Sequence, residues 1–179
     1  MSDNNRSLIA ALVLSAAGLV GIAVNEGYTS KAVPDSVKGV AVPTHGFGTT
    51  GGVRMGDTTT PPKALARLLS DVRRFEGALK QCVKVPLHQY EYDAYVDLAY
   101  NIGPGKSGVA DGFCESRRGG PSVLVQRLNA GDYAGACDAI MMWKRVGDVD
   151  CSTPGNKQCA GLWARRQRLR SQCLGEVQP

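Results

Sequence analysis

At 179 residues the chain is long enough for one compact domain with a real core and too short for two ordinary ones. Its 43% hydrophobic and 21% charged content excludes collagen-like, low-complexity and disordered classes, and no internal repeat is present. A formal charge of +5 favours an anionic partner, yet no basic run singles out nucleic acid, and no nucleic-acid partner is expected.

Ser7 to Val24 are 18 residues without a charge. As one helix they would reach roughly 27 Å, marginal against a hydrocarbon core of about 30 Å. Half of these positions are Ala, Gly or Ser, so such a helix would insert weakly. Three readings stay open: a cleaved secretion signal, a lasting membrane anchor, and a buried helix of a soluble protein.

From Asn25 to about Thr60, Gly, Thr, Val and Pro dominate, which predicts loops with short strands. Behind TTTPP, Leu65, Leu68, Leu69, Val72, Phe75, Leu79 and Val83 recur every three or four residues, predicting a long amphipathic helix. A second helix is predicted from about His88 to Ile102, stopped by Gly103, Pro104 and Gly105. Ser122 can cap VLVQRLNAG, Asp132 can cap YAGACDAIMMWKR, and a last helix begins near Gly161. In that last helix RRQRLR, Arg165 to Arg170, reads as a solvated face with structural ion pairs; a binding patch is the alternative. The four tyrosines at 90, 92, 95 and 100 read as core. The class is α+β, mainly α: a small β-containing lobe and a helical lobe joined by a long helix.

Six cysteines, Cys82, Cys114, Cys137, Cys151, Cys159 and Cys173, all follow the apolar segment and include no CxxC pair. An even number beside an export segment suggests up to three disulfides. Of the 15 pairings that six cysteines permit, only Cys151 with Cys159, which bracket STPGNKQ, is chosen. His45 and His88 have no ligand-like spacing, so no metal site is expected.

Glu26, Asp35 and Thr44 follow one another at intervals of nine. Two carboxylates flanking a loop suit glycosidic cleavage, in which one protonates the leaving oxygen and the other supports a water or the cationic sugar. Asp57, in RMGD, is the second candidate for the latter role, with a helix-cap role as its structural reading.

The blocks NEGYTSKAVPD, PTHGFGTT and VRMGDTTT resemble the catalytic lobe of the phage-type lysozymes, glycoside hydrolase family 24. KVPLHQYEYDAYVDLAYNIG, RLNAGDYAGAC and GLWARRQRLR resemble their helical lobe in the same order, so the likeness runs from about Asn25 to Leu174. The resemblance implies a lysozyme-like fold, with Glu26 as general acid, Asp35 helping to activate water and Thr44 completing the site. It further implies saccharide contacts at Gly46, Phe47 and Gly48, and at Asn101 from the helical lobe; a structural role at a helix end is the alternative for Asn101. Two departures stand out: the interval from Asp35 to Thr44 is longer than in the common form, and Thr49 stands where a His often follows GxG.

The implied activity is hydrolysis of peptidoglycan by a monomer without metal or cofactor. Lytic transglycosylation and a non-catalytic wall-binding module are the alternatives. With the family in place, residues 1–24 resemble the anchor of signal-anchor-release endolysins, and 25–179 form the muramidase domain. That likeness implies export by the host secretion machinery, retention in the host inner membrane through residues 7–24, and release to the periplasm.

Overall fold

The computed structural model describes residues 6–35 and 39–177. Its elements are α1 (Ala16–Glu26), β1 (Thr29–Asp35), β2 (Gly39–Gly46), α2 (Pro61–Cys82), α3 (Gln89–Ile102), α4 (Val123–Asn129), α5 (Tyr133–Ala139), β3 (Arg145–Val146), β4 (Val149–Asp150) and α6 (Ala160–Cys173). Ala16–Arg74 form one compact unit, and the chain on both sides of that stretch forms a second, so α2 carries the chain from one to the other.

In the first unit β1 and β2 pair antiparallel, with Thr29 opposite Gly46, Val33 opposite Thr44 and Asp35 opposite Gly39, and with two register shifts along the pair. The stretch after the hairpin returns along β1, where Ala32 N donates to Asp57 O and Thr59 N to Ser30 O, both 2.9 Å. The predicted period of α2 is visible in its burial: Leu68, Val72 and Leu79 are fully enclosed, whereas Leu65 is exposed. Asp57 caps no helix. Its carboxylate accepts from Arg54 N at 2.8 Å and closes a turn that ends before α2 starts at Pro61.

In the second unit α3 packs against α6, and α4 against α5. Nine successive residues of α3, Glu91 to Ala99, are buried. A helix enclosed on all sides can hold carboxylates only if each finds a donor. Arg6 supplies one through Nε (3.1 Å) and Nη2 (2.8 Å) to Glu91, its guanidinium lying 3.7 Å from the centroid of the Tyr133 ring. Ser15 gives its amide (3.0 Å) and hydroxyl (2.6 Å) to Asp93. Arg165 gives Nε (2.9 Å) and Nη2 (2.6 Å) to Asp97. Glu76, buried on α2, accepts from Leu14 N and from the Tyr92 hydroxyl, both at 2.8 Å. Burial, and then that hydrogen bond, push the Tyr92 hydroxyl well above the ordinary tyrosine range. Tyr92 and Tyr95 are core as expected, while Tyr90 and Tyr100 are only half-buried.

These donors also explain the first segment. The single helix considered for residues 7–24 is replaced by a short 3-10 turn at Ile9–Ala11, extended backbone at Leu12, and α1 from Ala16. The amides of Leu14 and Ser15, which a continuous helix would use internally, go to Glu76 and Asp93. Ser7 pairs through its backbone with Leu87, and Gln89 donates to Val13 O. Among the described residues no helix is long and apolar enough to cross a membrane.

Ser122 and Asp132 cap α4 and α5 as the sequence suggests. α5 is shorter than expected: it passes at Ile140 into a 3-10 turn, and the chain then makes the β3–β4 hairpin. The turn needs Gly147 at φ +55. Cys151–Cys159 is joined as chosen, and Cys82–Cys114 and Cys137–Cys173 complete the set.

RRQRLR is not a wholly solvated face. Arg165 and Arg166 are 8% and 2% exposed, and of the expected ion pairs Arg165 meets Asp97, while the more exposed Arg170 meets Asp138 at 2.7 Å. Replacing Arg165 by Leu strands a buried carboxylate, and urea unfolding should show a loss of about 3–5 kcal/mol. Adding Asp97→Asn should restore a large part of it, because the uncompensated charge is then gone.

Candidate active site

Glu26 is the last residue of α1, which ends where Gly27, at φ +68, returns its amide to Ala23 O at 3.1 Å. The half-buried Glu26 is thus fixed by a helix terminus and followed at once by a reversal of the chain. Tyr28 comes next; its hydroxyl donates to Thr59 O at 3.0 Å and its ring lies 5.4 Å from that of Phe47.

Phe47 sits in a turn pinched shut by reciprocal backbone bonds between His45 and Thr49, both 3.1 Å. Gly46 at φ +63 and Gly48 at φ +78 take conformations that L side chains rarely adopt. Both also need the missing side chain. A Cβ at Gly46 would lie 2.9 Å from Ala64 Cβ on α2, and one at Gly48 would lie 3.2 Å from Glu26 Oε2. The second contact joins two of the residues chosen from sequence: the backbone of the turn lies against the Glu26 carboxylate. Thr44 is in β2, opposite Val33, two residues before this turn. Asp35 ends β1, and its side chain lies outside the described residues.

Thr49, the departure from the common pattern, is 4% exposed and its hydroxyl donates to Asp71 Oδ2 at 3.1 Å. Asp71 also pairs with Arg67 at 3.3 Å, and Arg67 donates to Gly51 O at 3.1 Å. The far side of the turn is therefore tied to α2 by residues that sequence reasoning passed over. Their signal was weak: an Asp four residues after an Arg on a helix looks like an ordinary surface pair.

Asn101 belongs to the other unit. Its Oδ1 accepts from Arg166 Nη2, and Arg166 Nε donates to Trp143 O at 2.9 Å. Burial, then the neighbouring Arg165, lower the Arg166 pKa to about 10. Because a guanidinium only donates, it fixes the carboxamide with oxygen inward and its NH₂ group turned away. Among the described residues no group of three or more His, Cys, Asp or Glu could hold a metal ion.

The chain matches the phage lysozyme family over residues 23–168. A protein named SAR-endolysin from Pseudomonas phage phiKMV is 34% identical over 160 residues, covering 89% of this chain and 87% of that protein. The endolysin of Salmonella phage P22 is 34% identical over 156 residues, covering 84% and 97%. Among solved structures, the endolysin of Escherichia coli O157:H7 phage FAHEc1 superimposes with a TM-score of 0.73 at 33% identity, covering 94% of this chain and 98% of that one. A carboxylate at a helix end, a glycine turn laid against it, an α+β architecture and these likenesses agree: the chain belongs to the phage lysozyme family, the lysozyme-type glycoside hydrolases of phages.

Proposed function

We propose that the protein is an endolysin that hydrolyses the bond between N-acetylmuramic acid and N-acetylglucosamine in peptidoglycan, with Glu26 as general acid. The observation that carries this reading is the Glu26 carboxylate held against the backbone of Gly48 in the Gly46-Phe47-Gly48 turn. Glycines let a polymer approach a backbone closely, so a saccharide lying on the turn brings its glycosidic oxygen to the acid. Glu26 protonates that oxygen as the bond breaks; Asp35 and the Thr44 hydroxyl orient the water that replaces it. Asn101 offers its NH₂ group to an acceptor on the saccharide.

Glu26→Gln keeps the shape and removes the proton, so wall hydrolysis should fall by about 10²- to 10⁴-fold with the thermal unfolding midpoint little changed. Near wild-type lysis would reassign the acid. Asp35→Asn should impair turnover more than Asp57→Asn, since the Asp57 carboxylate is engaged with the Arg54 amide. Muropeptide analysis distinguishes the reactions: reducing ends mean hydrolysis, anhydro ends mean transglycosylation, and no products mean binding alone. Gly48→Ala tests the turn directly. A Cβ there meets Glu26 and strains the backbone by roughly 1–2 kcal/mol, so activity should drop by more than stability does.

The same reading assigns residues 1–24 to control of residues 25–179. The segment is exported by the host secretion machinery, held in the inner membrane, and released to the periplasm, where it folds into the enzyme. Two observations support this: the name of the phiKMV relative, and the placement of Leu14 and Ser15 on buried acceptors of the helical unit. Gly21→Leu is the informative variant. A Cβ there meets nothing within 4 Å in the folded protein, whereas Gly18 is buried. The added side chain should favour the bilayer by about 2 kcal/mol and delay lysis, with the protein retained longer in energised inner membrane. Unchanged lysis timing would remove the release step.

A further inference from the structure

The Gly46-Phe47-Gly48 turn rests on one face of α2. Ala64, Arg67 and Asp71 follow one another there at helical spacing, so their side chains stand in one row. Ala64, 3% exposed, lies under Gly46, and a Cβ added to Gly51 would lie 3.1 Å from Arg67 Nη2. Asp71 completes the row and divides its carboxylate. Oδ2 accepts from the Thr49 hydroxyl at 3.1 Å, while Oδ1 faces Arg67 Nε at 3.3 Å and Arg74 Nη2 at 3.9 Å.

These contacts differ in what they fix. The shape of the turn is closed by the reciprocal His45 and Thr49 backbone bonds, and its entry is held by β2 and by Ala64 under Gly46. The exit is held in another way. Gly48 is exposed and lies against the Glu26 carboxylate, and the next residue, Thr49, is 4% exposed. The Thr49 side chain is therefore anchored one residue from the contact that faces the acid. Its hydroxyl, enclosed and given a charged acceptor, makes a stronger bond than a surface threonine would. Arg67, a donor only, engages the other oxygen of Asp71 and keeps the acceptor turned toward Thr49.

We propose that Asp71 is a positioning residue for glycosidic cleavage: through the Thr49 hydroxyl it sets the distance between the Gly48 backbone and the Glu26 carboxylate. This rests on the reading of Glu26 as the general acid. Glu26 is fixed from its own side by the end of α1, so two helices decide the gap, α1 carrying the carboxylate and α2 carrying the turn. A saccharide laid on the turn then meets the acid at one height. Without the Thr49 bond the turn keeps its shape and loses that height, so the sugar still binds while its glycosidic oxygen is misaligned with the proton. The loss falls on the chemical step rather than on binding.

Thr49→Val keeps the size of the side chain and removes its hydroxyl. On purified wall, per folded molecule and well below the unfolding midpoint, kcat should fall about tenfold with KM within about twofold, part of the roughly 10²-fold that a 1 Å misplacement costs. Thr49→Ser restores the donor and should bring kcat back to within about twofold of the wild type. Asp71→Asn carries the same test where Thr49→Val does not fold, since an amide that gives its oxygen to the hydroxyl turns its NH₂ group on Arg67. A rate cycle separates positioning from stability: in the Glu26→Gln background Thr49→Val should cost less than about twofold, because the acid it aligns is gone. An unchanged kcat, no recovery with serine, or an undiminished loss in the Glu26→Gln background overturns the proposal. If the wild type cuts no wall, the glycosidase reading fails instead, and NMR decides the positioning. Glu26→Gln should shift the Gly48 amide signal, and Thr49→Val should shrink that shift; an equal shift overturns it.

Discussion

The second unit depends on matching buried carboxylates with donors that come from distant parts of the chain. Glu91, Asp93 and Asp97 lie within two turns of α3, each at most 6% exposed, and Glu76 faces them from α2 through the Tyr92 hydroxyl. No donor on α3 itself could satisfy all of them. The chain supplies Arg6 and Ser15 from one end and Arg165 from the other, separations of 85, 78 and 68 residues. An apolar core of this size would tolerate several packings of its helices; a set of charges that must each meet one partner tolerates far fewer. The acidic helix thereby selects the route of residues 6–15 and the rotation of α6.

The first unit is organised by backbone conformation. Three of the glycines that shape it, Gly27, Gly46 and Gly48, have positive φ, and two of them also occupy positions where a side chain would collide with a neighbour. The sequence letters EGY and GFG are, in space, one arrangement: Gly48 against Glu26 and Phe47 against Tyr28. Thr49 closes it from beneath through Asp71, so a small hydroxyl residue suits a position that is nearly enclosed.

How much of this could be read in advance followed the range of the interaction. α2, α3 and the caps of α4 and α5 were legible because period, proline, glycine and capping residues are local signals. The break in the first segment was not, because the residues that take the Leu14 and Ser15 amides lie more than 60 positions away. RRQRLR misled for the same reason: a buried arginine and a solvated one have identical letters, and only Asp97 and Asn101 decide between them. The end of α5 was missed because a helical period ran on into Met142, while the hairpin that interrupts it depends on a Gly-Asp turn of only two residues between strands of two. Of the site, Glu26 and the glycine turn came from the motif, and their contact came only with the fold.

The three disulfides span 32, 36 and 8 residues, and together they use every cysteine from Cys82 to Cys173. In the language of covalent topology, everything before Cys82 is an open strand: no cross-link encloses it and none ties it to the remainder. The entropy that the bridges remove from the unfolded chain is removed from the helical unit alone. Arg6 to Glu26 can accordingly leave their places or return to them without a bond being broken, and oxidation can be complete before those residues take up their final positions.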